Sequence, residues 1–345
     1  MIKGLSKGSI VIALLFNFHI IQAQSNQHRL LLGISKVDHK LVLMDAKTYQ
    51  VLNKVDIGED PHEVTVSSDG KTAYVSNTGF GSLHEINVID LVHQKAIKNI
   101  DTRPLWGPHG LSYTNNELWF TAQGSKAIGR YNPQTDSLDW SMGTGQNVTH
   151  LLYVKKDAKQ IYATNVESGT VSILEEKLVQ PMIPPTGKLP PNAKPRLDWD
   201  QTLIPVGVGA EGFAVTPDEN ELWTIKPDGT IAIINLSEKK LEQTINSKVL
   251  GLHRIGFSNN GKLAIIVSVR TGDLLVYDVA KRQEIKRLNI GQGAGIMVDE
   301  KENIAYISCT PNNYTIVFDL NKLKVIQKLK YGGRPDGITI AEWKD

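Results

Sequence analysis

A two-strand pattern recurs along this chain and constrains its fold more than any other feature. Each copy has an alternating apolar run, a polar turn and a second run rich in β-branched and aromatic residues, as in a β-hairpin. The first copy is PHEVTVSSDGKTAYVSN at 61–77, and others begin near residues 109, 150, 211, 253 and 294. Because two more strand-like runs follow each hairpin, every repeat predicts four short strands, the content of a propeller blade.

The two ends of the chain supply the parts of one further blade. LLLGI (30–34), KLVLMDA (40–46) and VLNKVDI (51–57) are three strands without a first one, and PDGITIAEW (335–343) is a first strand alone. Pairing these ends closes the ring and removes exposed sheet edges. We therefore predict an all-β fold, a seven-bladed β-propeller in which the C-terminal strand pairs with the N-terminal blade.

The repeat that begins at His150 is longer than the others, because a proline-rich insertion falls at about 176–201. Six of the fifteen prolines lie between 181 and 195, so we expect an extended loop and not a second domain. TLIPVG (202–207) has the residue pattern of VDIG (55–58), which also precedes a hairpin, and this favours a loop between the third and fourth strands of the blade. If KLVQPMI (177–183) is the outer strand instead, the loop leads into the next blade.

The N-terminal segment has the pattern of a secretory signal peptide. Lys3 and Lys7 precede an apolar run over 10–21, and Ala23 stands at the cleavage position. That run is shorter than the roughly 20 residues that a membrane-spanning helix needs. The sequence thus predicts a signal peptide at 1–23 and a single propeller at 24–345, periplasmic or secreted, with no integral membrane contact.

Composition excludes several classes of protein. One cysteine, Cys309, excludes an internal disulfide framework and a cysteine-rich zinc module, and we expect this thiol to be buried. The net charge of +2 comes from the two lysines of the signal peptide, so the mature chain is neutral. Neutrality and the lack of a basic run argue against nucleic-acid binding. We expect a monomer.

The repeat also resembles a known family. The cadence IGEDPHEVTVSSDGKTAYVSN (57–77), YATN (162–165) and IPVGVGAEGFAVTPDENELW (204–223) resemble the YVTN-type β-propeller repeat over essentially all of the mature chain. Propellers of this group are similar to lactonases, to the haem-carrying domain of cytochrome d1-type nitrite reductases and to large subunits of quinone-dependent amine dehydrogenases. The resemblance implies the fold but no single activity. The chain has no CxxCH motif, which excludes covalent c-type haem.

The first positions of the innermost strands carry most of the chemical information. Aligning HEVTV, HGLSY, HLLYV, EGFAV, HRIGF, AGIMV and DGITI places these residues in one column: His62, His109, His150, Glu211, His253, Ala294 and Asp336. Because these strands line the channel of a propeller, the side chains should converge at one mouth. Imidazoles combined with carboxylates suit Zn, Cu, Fe or Mn. The expected metal ligands are His62, His109, His150, His253 and Glu211.

These residues predict a reaction class. A bound transition metal would polarise a carbonyl or generate hydroxide from water, and Glu211 or Asp336 would serve as the catalytic base. With the similarity to lactonases, this favours a metal-dependent hydrolase or lyase acting on a small oxygenated, lactone- or ester-like substrate. Copper-dependent redox chemistry is the next option. The structural alternative is a solvated channel mouth whose polar groups only pair with one another and with water.

Basic and aromatic residues near the same mouth are candidates for substrate binding: Lys226, Arg254, Arg270, Arg334 and Trp106. The cations would hold an anionic substrate and the indole would stack on it. Surface ion pairs and packing between blades account for the same residues. The alternative function is a non-catalytic binding propeller, which would hold a peptide, a glycan or a partner protein at the mouth or through the proline-rich loop.

Overall fold

Seven four-stranded antiparallel sheets make up the protein in a computed structural model, which describes Met1 and residues 27–345. Each sheet is one blade, so the predicted seven-bladed β-propeller is confirmed. The predicted signal peptide at 1–23 lies, apart from Met1, outside the described residues. Within residues 27–345, no helix is long and apolar enough to cross a membrane.

The strands follow one another around the ring in chain order. The N-terminal strands are β1 (Gln27–Ser35), β2 (Lys40–Asp45) and β3 (Val51–Asp56). The next three blades contain β4 (Pro61–Val66), β5 (Thr72–Asn77), β6 (Glu85–Asp90), β7 (Lys95–Asp101); β8 (Pro108–Thr114), β9 (Glu117–Ala122), β10 (Ala127–Asn132), β11 (Ser137–Gly143); and β12 (Thr149–Val154), β13 (Gln160–Asn165), β14 (Thr170–Val179), β15 (Arg196–Pro205).

The remaining strands are β16 (Phe213–Val215), β17 (Glu221–Ile225), β18 (Thr230–Asn235), β19 (Lys240–Asn246); β20 (Leu252–Phe257), β21 (Leu263–Ser268), β22 (Asp273–Asp278), β23 (Gln283–Asn289); β24 (Gly295–Asp299), β25 (Ile304–Cys309), β26 (Tyr314–Asp319), β27 (Lys324–Leu329); and β28 (Pro335–Lys344). Two single 3-10 turns, Gly79–Gly81 and Thr310–Asn312, each follow the second strand of a blade.

The ring closes through antiparallel pairing of the two ends of the chain. β28 pairs with β1 from Gln27↔Lys344 to Ser35↔Pro335, so the closing sheet has the order β28-β1-β2-β3. In this sheet β28 covers the inner edge of β1, and the edge that remains belongs, as in the other blades, to an inner strand beside the channel.

The hydrophobic core lies between the faces of neighbouring blades. Second strands such as β13 are almost wholly buried, whereas outer strands such as β19 are mostly exposed. Trp119 and Trp223 are fully buried and occupy the place that Tyr74 and Tyr162 take in other blades. Large aromatic side chains at this repeat position therefore fill the gap between adjacent sheets.

The proline-rich segment connects β14 and β15, the third and fourth strands of one blade. These two strands pair along ten positions each, from Thr170↔Pro205 to Val179↔Arg196, and residues 180–195 join them. First strands begin at the channel mouth, so alternation of direction puts this hairpin at the opposite end of the blade. The insertion is thus remote from the column of ionisable residues.

Removing the closing strand should unfold the propeller, because β1 would be left as an open edge. We expect a chain truncated after Arg334 to lose cooperative urea unfolding and to aggregate. The matched control replaces residues 180–195 by Asn-Gly, which can join Val179 to Arg196 as a two-residue turn. Its melting temperature should stay within about 2 °C of wild type. Cooperative unfolding of the truncated chain would contradict this role of β28.

Candidate active site

The ring column predicted from the repeat converges at one channel mouth. The rings of His62 and His109 lie 4.8 Å apart between centroids, and those of His109 and His150 4.0 Å apart. His150 Nε2 lies 3.5 Å from Glu211 Oε1, which in turn is 2.9 Å from His253 Nε2. The structure therefore joins these five residues, one from each of five consecutive blades, into a continuous arc of side chains.

Two further contacts extend the arc. His253 Nδ1 lies 2.9 Å from the carbonyl oxygen of Ala294, the ring position without an ionisable group. On the other side, Asp336 Oδ2 is 3.5 Å from Nδ1 of His62. Each of the seven aligned positions thus touches the arc, although only six of them bring ionisable side chains.

All four ring histidines lie at irregularities in the pairing of their strands. The register shifts between Pro61 and Val64, Pro108 and Leu111, Thr149 and Leu152, and Leu252 and Arg254; the four intervals contain His62, His109, His150 and His253. A β-bulge bends the strand and redirects a side chain. The bulges release these residues from ladder pairing at the point where they enter the mouth.

Glycines after four ring residues let neighbouring inner strands approach closely: Gly110, Gly212, Gly295 and Gly337. A Cβ at Gly212 would lie 2.2 Å from the carbonyl oxygen of His253. A Cβ at Gly337 would lie 2.4 Å from that of His62. No side chain fits these gaps, so glycine at this position sets the separation of the ring residues.

Hydroxyl groups of second strands anchor the ring from the neighbouring blade. Ser76 Oγ donates to the carbonyl oxygen of His109 at 2.7 Å, and Thr121 Oγ1 to that of His150 at 2.5 Å. Thr164 Oγ1 makes the same bond to Glu211 at 3.0 Å. Sequence reasoning missed these residues, although the Ser or Thr in YVSN, WFTA and YATN recurs at one position of the repeat.

His109 and His150 are neutral imidazoles in a dry part of the mouth. They are 3% and 7% exposed, and burial lowers the pKa of His150 to about 4. Burial, reinforced by His150 and His62, holds the pKa of His109 well below its usual range. His109 Nδ1 and His150 Nε2 are buried without a hydrogen-bond partner among the described residues. Two such nitrogens side by side are unusual and mark a place for a ligand.

Gln123 sets the tautomer of His150. Its amide Nε2 donates to Nδ1 of the imidazole, so the single proton of the neutral ring belongs on Nε2. His150 therefore presents an N–H group that Glu211, 3.5 Å away, does not accept as a well-directed hydrogen bond. This N–H group has no acceptor among the described residues, and it belongs to a side chain that lines the cavity described below.

Glu211 is the centre of a buried charged group. Burial alone would raise its pKa, but His253 and His150 beside it hold the pKa well below its usual range. Both nitrogens of His253 face oxygen atoms, Nε2 that of Glu211 and Nδ1 the carbonyl oxygen of Ala294. Arg254, which is 9% exposed, donates to Glu63 at 3.0 Å and lies 3.7 Å from Glu211.

A second charged group surrounds His62. Lys36 Nζ is 2.7 Å from His62 Nε2, 3.0 Å from Asp60 and 3.5 Å from Asp336. Burial would raise the pKa of Asp60, but His62 and Lys36 lower it far below the usual range. Lys36 comes from the β1–β2 turn and Asp60 precedes β4, so neither belongs to the aligned column that sequence reasoning used.

The fixed charges of the site sum to a negative value. Two cations, Lys36 and Arg254, face four carboxylates, those of Asp60, Glu63, Glu211 and Asp336. Carboxylates therefore exceed cations by two among these residues. The field at the mouth therefore disfavours anions, and the cations are already held by carboxylates of the chain.

A cavity of about 300 Å³ opens beside the arc, lined by His62, Thr78, Phe80, His109, Gln123, Val148, His150, Val166 and Glu211. Phe80 is 102% exposed, with φ at +51°, in the 3-10 turn after β5. Close backbone packing fixes that turn, since a Cβ at Gly124 would lie 2.2 Å from the Gly81 carbonyl oxygen. The aromatic ring thus forms an apolar wall above the histidines.

A larger depression, of about 1120 Å³, lies elsewhere. It is lined by residues of the β16–β17 and β20–β21 turns and of 278–282, at the end of the blades away from the ring histidines. Its polar groups are mostly satisfied by pairs such as Arg282 with Glu221, at 2.6 Å. The small cavity at the arc, and not this surface groove, holds the reactive groups.

Four of the five residues expected to bind substrate stand apart from the cavity. Lys226 pairs with Asp228 at 3.3 Å, and Arg270 and Arg334 are exposed to solvent. Trp106 is 40% exposed and meets His84 edge to face, with 5.0 Å between centroids. Arg254 alone joins the arc. Cys309, expected to be buried, is fully buried, and burial raises the pKa of its thiol to about 12.

The side chains at the mouth meet part of what a transition-metal site requires. His109 and His150 offer neutral imidazoles with unpartnered nitrogens, and Glu211 is an adjacent carboxylate. His62 is engaged by Lys36 and His253 by Glu211, so these two are not free donors. Across residues 27–345, no group of three or more His, Cys, Asp or Glu is arranged to hold a metal ion. The chemistry of the donors suits such an ion better than their present arrangement does.

The buried imidazoles predict loss of stability in mild acid. A histidine with a lowered folded pKa stabilises the fold above the unfolded pKa of about 6.5, and this is lost as pH falls towards 4. In chelator-containing buffer, His150 alone should reduce the free energy of unfolding by up to about 3 kcal/mol between pH 7 and pH 4. Urea unfolding should show a shallower pH slope for His150→Gln than for wild type and the exposed control His93→Gln. Parallel slopes in all three proteins would contradict burial of a neutral His150.

Comparison with known proteins supports the fold. No family model matches the chain, and no curated protein matches it. Similar solved structures include a functionally unknown protein from Desulfotomaculum acetoxidans (TM-score 0.70, 13% identity, covering 90% of this chain and 98% of that one). A Bacteroides fragilis protein provisionally assigned as a 6-phosphogluconolactonase has a TM-score of 0.69 and 13% identity, covering 91% and 98%.

Hydrazine synthase of Kuenenia stuttgartiensis is also similar, with a TM-score of 0.65 and 14% identity over 86% of this chain and 90% of that one. At these identities the likeness concerns the backbone alone. The expected resemblance to lactonase-like propellers is confirmed at the level of the fold: this chain is similar to seven-bladed propellers over almost all of its described length.

Proposed function

We propose that the protein is a hydrolase that opens a small, uncharged lactone- or ester-like compound in the cavity at the channel mouth. The observation that carries the proposal is the pair of neutral, buried imidazoles of His109 and His150, each with an unpartnered nitrogen beside the cavity. The lactonase assignment of one structural neighbour supports the substrate class. The export expected from residues 1–23 is part of the proposal and rests on sequence alone.

In the proposed reaction His109 is the general base. It accepts a proton from a water molecule whose oxygen attacks the carbonyl carbon of the substrate. His150 Nε2–H donates to the carbonyl oxygen as negative charge develops there, with its tautomer held by Gln123. The C–O bond to the alkoxide then breaks, and protonated His109 returns the proton to the leaving oxygen. The products are a carboxylic acid and an alcohol, joined in one molecule when the substrate is a lactone.

Glu211 has a different role in this proposal from the one expected from sequence. The Oε1 atom of Glu211 is already occupied by His253 and also faces His150, so this carboxylate is not free to take a proton from water. Its charge instead stabilises positive charge that forms on neighbouring imidazoles during the reaction. Asp336, which faces Lys36 and His62, orients His62 and does not reach the cavity lining.

Electrostatics and shape select the substrate. Because carboxylates outnumber cations at the mouth, a phosphorylated or carboxylated compound is repelled, unlike the anionic substrate that the basic residues predicted. The cavity volume of about 300 Å³ suits a small molecule, and Phe80 and Val148 provide an apolar wall. A neutral lactone or ester with a short hydrophobic substituent matches these features.

Replacing the general base should abolish most of the activity. With a panel of neutral lactones and aryl esters, we expect His109→Gln to lower kcat/KM by at least about 100-fold while melting stays close to wild type. His93→Gln, in an exposed turn, is the matched control. If wild type hydrolyses no member of the panel, or His109→Gln hydrolyses at the wild-type rate, the hydrolase proposal fails. Ligand binding without turnover would then favour the non-catalytic binding propeller.

A metal-dependent form of the same reaction is the second candidate, favoured by the same two unpartnered nitrogens. His109 and His150, with Glu211, would hold a Zn, Cu, Fe or Mn ion, which would supply Lewis-acid polarisation of the substrate carbonyl. The acidic surroundings of the mouth favour a cation.

Metal content separates the two forms. After native purification, the acid–base form predicts less than about 0.2 equivalents of any transition metal and activity that survives chelation. The metal-dependent form predicts about one equivalent, lost together with activity in His109→Ala and retained in His93→Gln. Elemental analysis of these three proteins, before and after dialysis against a chelator, is the measurement.

A further inference from the structure

The hairpin of β14 and β15 and its connection, residues 177–197, carries a dense set of exposed apolar side chains. Met182 is 88% exposed, and Ile183, Leu178 and Leu197 are 62% to 65% exposed. Leu189 in the connection is also exposed. Isolated apolar residues on a surface need no explanation, but a cluster on one short projection marks a contact surface.

The same segment is basic. Between Lys177 and Arg196 it contains four cationic side chains and no Asp or Glu. Lys177 and Arg196, near the loop end of the paired strands, form ion pairs with Asp200 and Asp198 at 2.9 and 2.7 Å. Lys188 and Lys194, near the tip, form no ion pair with any residue that the structure describes. The tip therefore combines apolar side chains with two uncompensated positive charges.

The backbone of the connection has few N–H groups that would lose a hydrogen bond on leaving water. Six of the residues between 180 and 195 are prolines, which have no N–H group to desolvate. Two of the remaining N–H groups are bonded inside the loop, Gly187 to Pro184 O at 2.8 Å and Ala193 to Pro190 O at 3.0 Å. Entry into an apolar phase thus costs this segment less than it would cost an ordinary loop.

We propose that this hairpin docks the protein on an anionic lipid surface, with Met182 and Ile183 entering the interface and Lys188 and Lys194 contacting lipid headgroups. Charge complementarity and apolar exposure together favour a bilayer. Leu178 and Leu197, which are paired across the two arms, project from one face of the hairpin, and Met182 and Ile183 extend the apolar surface into the connection. Because the hairpin is at the end of the blade opposite the channel mouth, docking leaves the cavity open to solvent.

Binding to vesicles tests the proposal on the mature full-length chain. Wild type should co-sediment with vesicles of equal parts phosphatidylcholine and phosphatidylglycerol, and much less with phosphatidylcholine alone. Lys188→Glu with Lys194→Glu should weaken binding by about 20-fold or more, since each lysine near an anionic surface contributes about a fivefold gain. Met182→Ser with Ile183→Ser should weaken it at least about tenfold.

The matched control is Ile326→Ser with Lys324→Glu, an exposed apolar and a basic residue on outer strand β27 of another blade. It should bind as wild type does, and all variants should keep wild-type melting and lactone hydrolysis. Failure of wild type to bind anionic vesicles would overturn the proposal, as would unchanged binding after residues 180–195 are replaced by Asn-Gly. Capture of a protein partner through Met182 and Ile183 without vesicle binding would overturn it in favour of that partner.

Discussion

Close contact between the backbones of neighbouring inner strands is the constraint on which the rest of this propeller depends. At Gly212 and Gly337 no Cβ can be placed without meeting a carbonyl oxygen of the next blade. Hydroxyl groups of second strands, such as those of Ser76 and Thr121, donate to carbonyl oxygens of ring residues in the next blade. These contacts draw strands of separate blades towards one axis, and ring closure by β28 holds them there. Groups far apart in sequence, such as Glu63 and Arg254, become hydrogen-bonded neighbours as a consequence.

The chemistry of the mouth follows from the exclusion of water by this packing. Burial disfavours the charged form of His109 and His150, and the two rings stay neutral although they lie beside a carboxylate. Glu211 stays ionised because His253 and Arg254 surround it. Near neutral pH the two rings are therefore unprotonated, which is the state from which a general base accepts a proton. The hairpin at the other end of the ring takes no part in this, which allows separate functions at the two ends.

The fold and the ring column could be predicted because both follow from a repeat. Each four-strand unit folds into one blade, so a given position of the repeat occupies the same place in every blade. His62, His109, His150 and the equivalent residues therefore all lie at one mouth of the channel. Lys36 and Asp60 could not be found this way, since both lie outside the aligned strands. Lys36 reaches His62 from the neighbouring blade, and Asp60 from the residues just before β4. Nor does the sequence reveal the bulges at the histidines, which depend on pairing between strands. Lys226 and Arg270 follow second strands and Arg334 precedes β28, but the chain positions do not reveal side-chain direction, and none of the three lines the cavity.

The chemistry proposed for the channel mouth depends on His109 and His150 being neutral, buried imidazoles. Nitrogen-15 NMR of histidine-labelled mature protein, titrated in chelator-containing buffer and assigned with His109→Gln and His150→Gln, reports protonation and tautomer directly. We expect both rings to stay neutral at pH 6. We expect His150 to carry its proton on Nε2 and to have a pKa of about 4. Titration of both rings near the ordinary histidine pKa of about 6.5 would contradict these expectations.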